Sequence, residues 1–338
     1  LFINGQRIGN QVLAPAPTDY RKTILYNTYD VTSLLQAENA MGVTLGNGRF
    51  YTMRQNYKPY KIPTFGYPKL RLNLIVEYAD GSKETIATNT SWKLTTEGPI
   101  RSNNEYDGEE YDARKELGDW TQTGYDDKGW MQAQRVSIPS GTLRAQMMPG
   151  MKVTESLKPV SIRKQGDKHI LDIGQNMAGW LRIRIKGQAG DSIRLRFAER
   201  LQADGEIFTK NLRDAHCTDI YVVSGREPQD TTWAPRFVYH GFRYVEISGY
   251  PNAKTEDFTA EVVDDEMAHT GTFTCSDETL NQVLHNAFWG IRSNYKGMPV
   301  DCPQRNERQP WLGDHAMGSW GESLFFNNHA LFNKWTRD

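Results

Sequence analysis

Leu181-Arg-Ile-Arg-Ile-Lys-Gly-Gln-Ala-Gly-Asp-Ser-Ile-Arg-Leu-Arg-Phe197 is the stretch that sets the architecture. Leu181, Ile183 and Ile185 alternate with Arg182, Arg184 and Lys186, and past Gly187 to Asp191 the alternation resumes as Ile193, Leu195 and Phe197. A period of two puts the apolar set on one face and the cations on the other, as in a half-buried β-strand. The spacing predicts a hairpin, with the arginine ladder a solvated sheet face rather than an anion site. A second hairpin is read at Leu70, Leu72, Leu74, Val76 and Tyr78, with Arg71, Asn73 and Glu77 opposite and Ile75 the exception. Asp80-Gly81 supplies its turn and Glu84-Thr-Ile-Ala-Thr the return strand. Phe2-Ile3-Asn4-Gly5 is strand-plus-turn chemistry, and further strands are expected at Asp219 to Ser224 and Phe242 to Ser248. To about residue 262 the chain reads as two antiparallel β-sandwiches, divided near Pro139 to Pro159, at about 150.

After residue 275 the period changes. Leu280, Val283, Leu284, Ala287, Phe288 and Ile291 recur at helical spacing behind Ser276, the expected N-cap, with Asp277 and Glu278 in the first turn. A second helical stretch is expected from about His315 to Lys334. The loop between them, Met298 to Asp314, is where chemistry is expected, since binding residues concentrate on loops held by rigid flanks.

Composition narrows the function classes. Forty Lys and Arg against 41 Asp and Glu leave a net charge of −1, so no global field gathers nucleic acid or an anionic membrane surface. No run of 18 apolar residues occurs that would span a bilayer. Cys217, Cys275 and Cys302 are far apart, without a C-x-x-C spacing, so disulfides are not the framework. His216, His240, His315 and His329 show no metal-ligand spacing, and Asp172 to Trp180 lacks the G-x-G-x-x-G of a nucleotide site and reads as a sandwich edge. Neither a metal nor a cofactor is expected. Trp92, Trp120 and Trp130 read as core filling before a sugar platform. Asp107, Glu109, Glu110 and Asp112 read as a solvated acidic loop before a Ca²⁺ site.

Asp301-Cys-Pro-Gln-Arg-Asn-Glu-Arg-Gln-Pro-Trp-Leu-Gly-Asp314 holds two Asp, one Glu, two Arg and a Trp within fourteen residues, stiffened by Pro303 and Pro310. A glycosidase needs a carboxylic acid for the departing oxygen, a second carboxylate, and an aromatic surface for the sugar. On spacing alone, a salt-bridged corner between helices fits these residues equally well.

The same loop resembles the signature of the bacterial α-L-rhamnosidases, family 78 of the glycoside hydrolases. Leu1-Phe-Ile-Asn-Gly-Gln-Arg-Ile-Gly, Pro17-Thr-Asp-Tyr-Arg, Tyr26-Asn-Thr-Tyr-Asp-Val-Thr and Gly46-Asn-Gly resemble that family's jelly-roll domain. Asp172 to Trp180, Phe197-Ala-Glu, Asn211-Leu-Arg and Gly241-Phe-Arg-Tyr-Val resemble its following sandwich. The resemblance implies a multidomain chain: a jelly-roll-like β-sandwich over 1–150, a second sandwich over 151–262, and the beginning of an (α/α)6 barrel over 263–338. It implies an inverting glycosidase that removes terminal α-L-rhamnose from a rhamnose-containing glycoside or polysaccharide. Glu307 aligns with the general acid, and Asp301, Arg305, Trp311 and Asp314 with rhamnose-binding positions. Asn306 stands where many members carry Asp, and Gln309-Pro310 replaces smaller residues. Because the barrel takes twelve helices, the general base and the remainder of the catalytic domain are expected C-terminal to Asp338. The competing class is a carbohydrate-binding, lectin-like fragment without turnover.

Overall fold

The computed structural model describes residues 1–52 and 65–338. Its dominant feature is a sheet of ten strands: β1 (Ile100–Asn104), β2 (Gly108–Asp112), β3 (Met151–Leu157), β4 (Ser161–Gln165), β5 (Lys168–Arg184), β6 (Ser192–Ala198), β7 (Thr218–Val222), β8 (Thr232–Trp233), β9 (His240–Ser248) and β10 (Phe258–Asp265). The order is β3-β10-β5-β9-β6-β7-β2-β1, with β4 and β8 also pairing β5. Alternation along each strand sends Leu181, Ile183, Ile193, Leu195, Phe197, Val245 and Ile247, all fully buried, into one core.

The arginines of the alternating stretch are on the outer face, where Arg182 meets Glu261 at 2.6 Å and Arg184 meets Asp230 at 2.6 Å. The hairpin expected of that stretch does not form. β9 lies between β5 and β6, pairing Leu171 with Val245 on one side and Phe197 with Val245 on the other. Alternation fixes which face a residue occupies, while the partner strand depends on contacts made far along the chain. Asp172 to Trp180 is likewise central, not an edge: it runs between β9 and its other neighbours, with a register shift between Asp172 and Met177.

The acidic run is also corrected. Residues 108–112 form β2, parallel to β7, with Glu109 and Asp112 buried. Glu109 accepts the backbone N–H groups of Arg236 and Phe237, and burial pushes its carboxyl up to about 8. Nothing local to the sequence announces those partners, which lie more than 120 residues away.

The N-terminal region builds smaller sheets. Phe2–Ile3 turns through Asn4 and Gly5, both at positive φ, onto Gln6–Arg7, as the two-residue hairpin chemistry requires. Asn73–Glu77 and Lys83–Ala87 form the expected second hairpin with Gly81 at φ +82°. Thr23–Tyr26 and Thr142–Ala145 pair in parallel, so together with β2–β7 the all-antiparallel expectation has two exceptions. Both join segments too distant for a hairpin to dictate direction. Trp120 packs between Phe2 and Trp130, with ring centroids 5.9 and 6.0 Å away, and like Trp92 and Trp130 it is half-buried. All three cysteines are free.

Three helices follow: α1 (Glu278–Ser293), α2 (Leu312–Glu322) and α3 (His329–Arg337). Asp277, not Ser276, caps α1 by accepting from the N–H groups of Thr279 and Leu280. The single second helix expected by periodicity is broken by a turn at residues 323–325, after which Phe326 bridges His269 and Asn327 N–H donates to the Ala268 carbonyl at 2.8 Å. Phe326 is thereby buried with Met267, Tyr295 and Leu331.

Arg292 docks α1 on the sheet. Its guanidinium reaches Asp264 at 2.6 Å, Glu155 at 2.5 Å and the Thr154 hydroxyl at 3.0 Å. Removing one member of a buried ion pair leaves the other charge unpaired. Arg292→Met is therefore expected to cost about 3–5 kcal/mol in urea unfolding. Adding Asp264→Asn returns part of that loss. An unchanged midpoint in the single variant would remove the docking role.

Candidate active site

The segment from Asp301 to Trp311 closes on itself. Asp301 N–H donates to the Gln309 carbonyl at 2.9 Å, and Gln309 N–H returns to Asp301 Oδ1 at 2.6 Å. Gln309 Nε2 also donates to the Glu307 carbonyl at 2.8 Å. The loop ends at Trp311, which precedes α2, so Asp314 lies in the first turn of that helix rather than on the loop.

Within this frame the carboxylates and cations form one set. Arg305 Nη2 lies 3.0 Å from Asp301 Oδ2 and 2.9 Å from Glu307 Oε2, with Arg305 Nε 3.0 Å from the same Glu307 oxygen. Trp311 Nε1 donates to Glu307 Oε1 at 3.0 Å. Four of the five residues singled out from the sequence are thus hydrogen-bonded together, while Asp314 stands exposed beside them.

Three contributors were not assigned from sequence. Arg213, from the segment between β6 and β7, places Nη1 2.9 Å from Glu307 Oε2. Its neighbour Asp214 accepts from Asn306 Nδ2 at 2.9 Å, and Cys217 Sγ reaches the Gln304 carbonyl at 3.1 Å. The only sequence signal was Asn211-Leu-Arg213, which carried no site role. Below the loop, Arg308 is completely buried, its guanidinium on the carbonyls of Tyr239 at 2.9 Å and Arg305 at 3.1 Å.

The electrostatics follow from these contacts. Burial opposes the charge on Glu307, but the Trp311 N–H and the guanidiniums of Arg305 and Arg213 outweigh it and hold the carboxyl below its ordinary value. Donor atoms of Asp301, Cys302 and Glu307 lie within 4.8 Å of one another, a spacing at which a metal ion is conceivable. The set does not suit one: burial pushes the Cys302 thiol up to about 11, and Arg305 bridges the two carboxylates. His240 is committed to Asp219 at 3.0 Å and His315 to Glu322 at 3.1 Å.

Comparison with known proteins places the chain in a family. Residues 1–155 match the α-L-rhamnosidase N-terminal domain, 162–264 the bacterial α-L-rhamnosidase concanavalin-like domain, and 268–338 the bacterial α-L-rhamnosidase six-hairpin glycosidase domain. The chain belongs to the α-L-rhamnosidases of glycoside hydrolase family 78. It is 38% identical to an α-L-rhamnosidase of Streptomyces avermitilis over 99% of its own length and 32% of that protein's. The structure of an α-L-rhamnosidase from Dictyoglumus thermophilum superposes with a TM-score of 0.92 at 39% identity, covering 98% of this chain and 37% of that one. A Streptomyces avermitilis α-L-rhamnosidase complexed with L-rhamnose superposes with a TM-score of 0.90 at 34% identity, over 98% and 32% of the two chains. The chain therefore spans about a third of the length of the curated relatives it matches. The described helices lie in the six-hairpin domain match, and no helix among the described residues is long and apolar enough to cross a membrane.

Asn306 ties the loop to the segment that carries Arg213. Its side chain is buried and bonded to Asp214, so a carboxylate there would face another carboxylate. Asn306→Asp is expected to lower stability by about 1–3 kcal/mol near neutral pH. The new Asp would have a folded-state pKa raised by burial and repulsion. The penalty is therefore full well above that value and vanishes as pH falls below about 4, where Asp is protonated in both states. Thermal melts at pH 7 and pH 3.5 check this, and an equal loss at both would exclude charge repulsion as its cause.

Proposed function

We propose that this chain forms the sugar-recognition and proton-donating part of an inverting α-L-rhamnosidase that removes terminal α-L-rhamnose from glycosides or polysaccharides. One observation carries the reading. Glu307, Arg305, Asp301 and Trp311 form a single hydrogen-bonded set on the loop that opens the six-hairpin domain. Glu307 is the general acid. Asp301, Arg305 and Asp314 bind sugar hydroxyls, and the Trp311 indole, oriented by its bond to Glu307, offers an apolar wall to the C6 methyl. In this reading the chain divides into a jelly-roll to about 150, a sandwich to about 262 and the opening of the barrel, although the β1–β2 hairpin belongs to the ten-stranded sheet.

The geometry sets conditions on this chemistry. A carboxyl clamped by two guanidiniums is ionised, and an ionised carboxylate donates no proton. With both guanidiniums in place protonation is disfavoured, and loosening either one favours it. Arg305 has Asp301 as an alternative partner, and Arg213 is half exposed. Asp301 is unsuited to be the general base: both its oxygens are engaged, and it lies within 4.8 Å of Glu307, where inversion needs roughly 6.5–9.5 Å between carboxyls for the water. The base is assigned to a later part of the six-hairpin domain. The same part accounts for the bare face of α1 and α2, where Val283, Met317 and Trp320 are 55%, 90% and 84% exposed. The remaining hairpins are its proposed partner.

In the protein with a complete six-hairpin domain, Glu307→Gln is expected to slow hydrolysis of rhamnosides with poor leaving groups about 10²–10⁴-fold. Substrates with good leaving groups should lose less. A near-normal rate on a poor leaving group would reject Glu307 as the acid. Residues 1–338 by themselves are expected to bind L-rhamnose in calorimetry and to release no aryl alcohol from an aryl α-L-rhamnoside. Release of the alcohol would place the base within these residues, while absent binding would count against the sugar-site assignment.

A further inference from the structure

We propose that Arg213, contributed by the concanavalin-like domain, is a positioning residue for Glu307 that, with Arg305, occupies Oε2 and confines the transferable proton to Oε1. The role rests on the reading of Glu307 as proton donor. Its basis is the distribution of donors around one carboxyl group. Oε2 receives two guanidiniums, from Arg213 at 2.9 Å and Arg305 at 2.9 Å, whereas among the described residues Oε1 receives the indole N–H of Trp311 at 3.0 Å and no cation.

A guanidinium has no acceptor, so a proton on Oε2 would point at groups that can only donate. A carboxylic acid keeps one carbonyl oxygen that accepts twice and one hydroxyl oxygen that donates once and still accepts. Protonation at Oε1 satisfies this without moving a neighbour: Oε2 remains the carbonyl oxygen under both guanidiniums, and the Oε1 hydroxyl still accepts from Trp311. The donor oxygen is thereby chosen by cations on the opposite side of the carboxyl.

Arg213 is placed for this by its own segment. It follows the short turn Lys210–Leu212, with backbone φ at +58°, which is unusual for a residue with a side chain. Asp214 and Cys217 of the same segment grip Asn306 and Gln304, so the sandwich meets the loop at three successive points. The other groups facing Glu307 are Arg305 with Asp301 behind it, Cys302 across the loop, Trp311 before α2, and Tyr106, whose hydroxyl meets the Glu307 backbone carbonyl at 3.4 Å. Among these, Arg213 is the cation outside the loop, and its side chain is 47% exposed against 15% for Glu307. It can be replaced without opening the core.

The test reads Glu307 directly. In the 338-residue chain with carbonyl-labelled glutamate, the Glu307 resonance is assigned by its loss in Glu307→Gln, and its titration midpoint is measured. Arg213→Gln is expected to raise that midpoint by about one pH unit, as withdrawal of an adjacent cation does, and Arg213→Lys to keep most of the parental value. An unmoved midpoint in Arg213→Gln would overturn the proposal. In the protein with a complete six-hairpin domain, Arg213→Gln should move the alkaline limb of kcat/KM to higher pH by a similar amount. A uniform fall at every pH with the limb unmoved would assign Arg213 a merely structural role. Failure of the acid reading is seen separately, in the rates of Glu307→Gln, because the resonance titration does not depend on turnover.

Discussion

A fully buried guanidinium governs the loop on which the site is built. Arg308 has no exposed surface, and its charge is met by the carbonyls of Tyr239, Arg305, Gln304 and Glu105 and by the ring faces of Tyr239 and Tyr106. Taking such a charge out of water costs several kcal/mol unless its donors are satisfied together. The carbonyls belong to three separated parts of the chain, so satisfying them ties the loop to each. Arg308 also adopts φ +51°, so the backbone bends at the residue whose side chain is anchored.

That anchorage makes the site a property of three regions. Glu105 and Tyr106 come from the β1–β2 turn, Tyr239 and Arg213 from the concanavalin-like domain, and Asp301 to Trp311 from the opening of the glycosidase domain. Arg49 adds a further tie, bonding the Arg308 carbonyl and meeting Glu105 at 3.4 Å. Glu307 stands next to Arg308 in sequence and faces the opposite way, toward partly exposed Arg213. A rigid, buried neighbour beneath a mostly buried carboxyl is the arrangement that holds a group in place while leaving one edge of it open to whatever approaches from solvent.

The docking of α1 shows the same logic at larger scale. Its face toward the sheet is fixed by Arg292 among Asp264, Glu155 and Thr154, while the helix's outer apolar residues remain uncovered. The polar contacts specify geometry, because each unsatisfied group would cost more than an apolar contact of the same size gains. The apolar contacts supply area but tolerate more than one register.

The sequence by itself determined what depends on near neighbours. The two-residue alternation of Leu181 to Phe197, the Asn4-Gly5 turn, the helical spacing of Leu280 to Ile291 and the density of carboxylates and arginines in Asp301 to Asp314 are all local patterns, and each describes a real element. The resemblance of those motifs to a family was legible in the same way. Tertiary structure alone decided which strands are partners. β9 separates β5 from β6, and the acidic residues of β2 are buried against Arg236 and Phe237. It alone also brought Arg213 to Glu307, 94 residues away in the chain and 2.9 Å away in space. The physical reason is one of range. Facing and turning are set within a few residues by backbone sterics, whereas pairing, burial and pKa are sums over whatever the folded chain brings within a few ångströms.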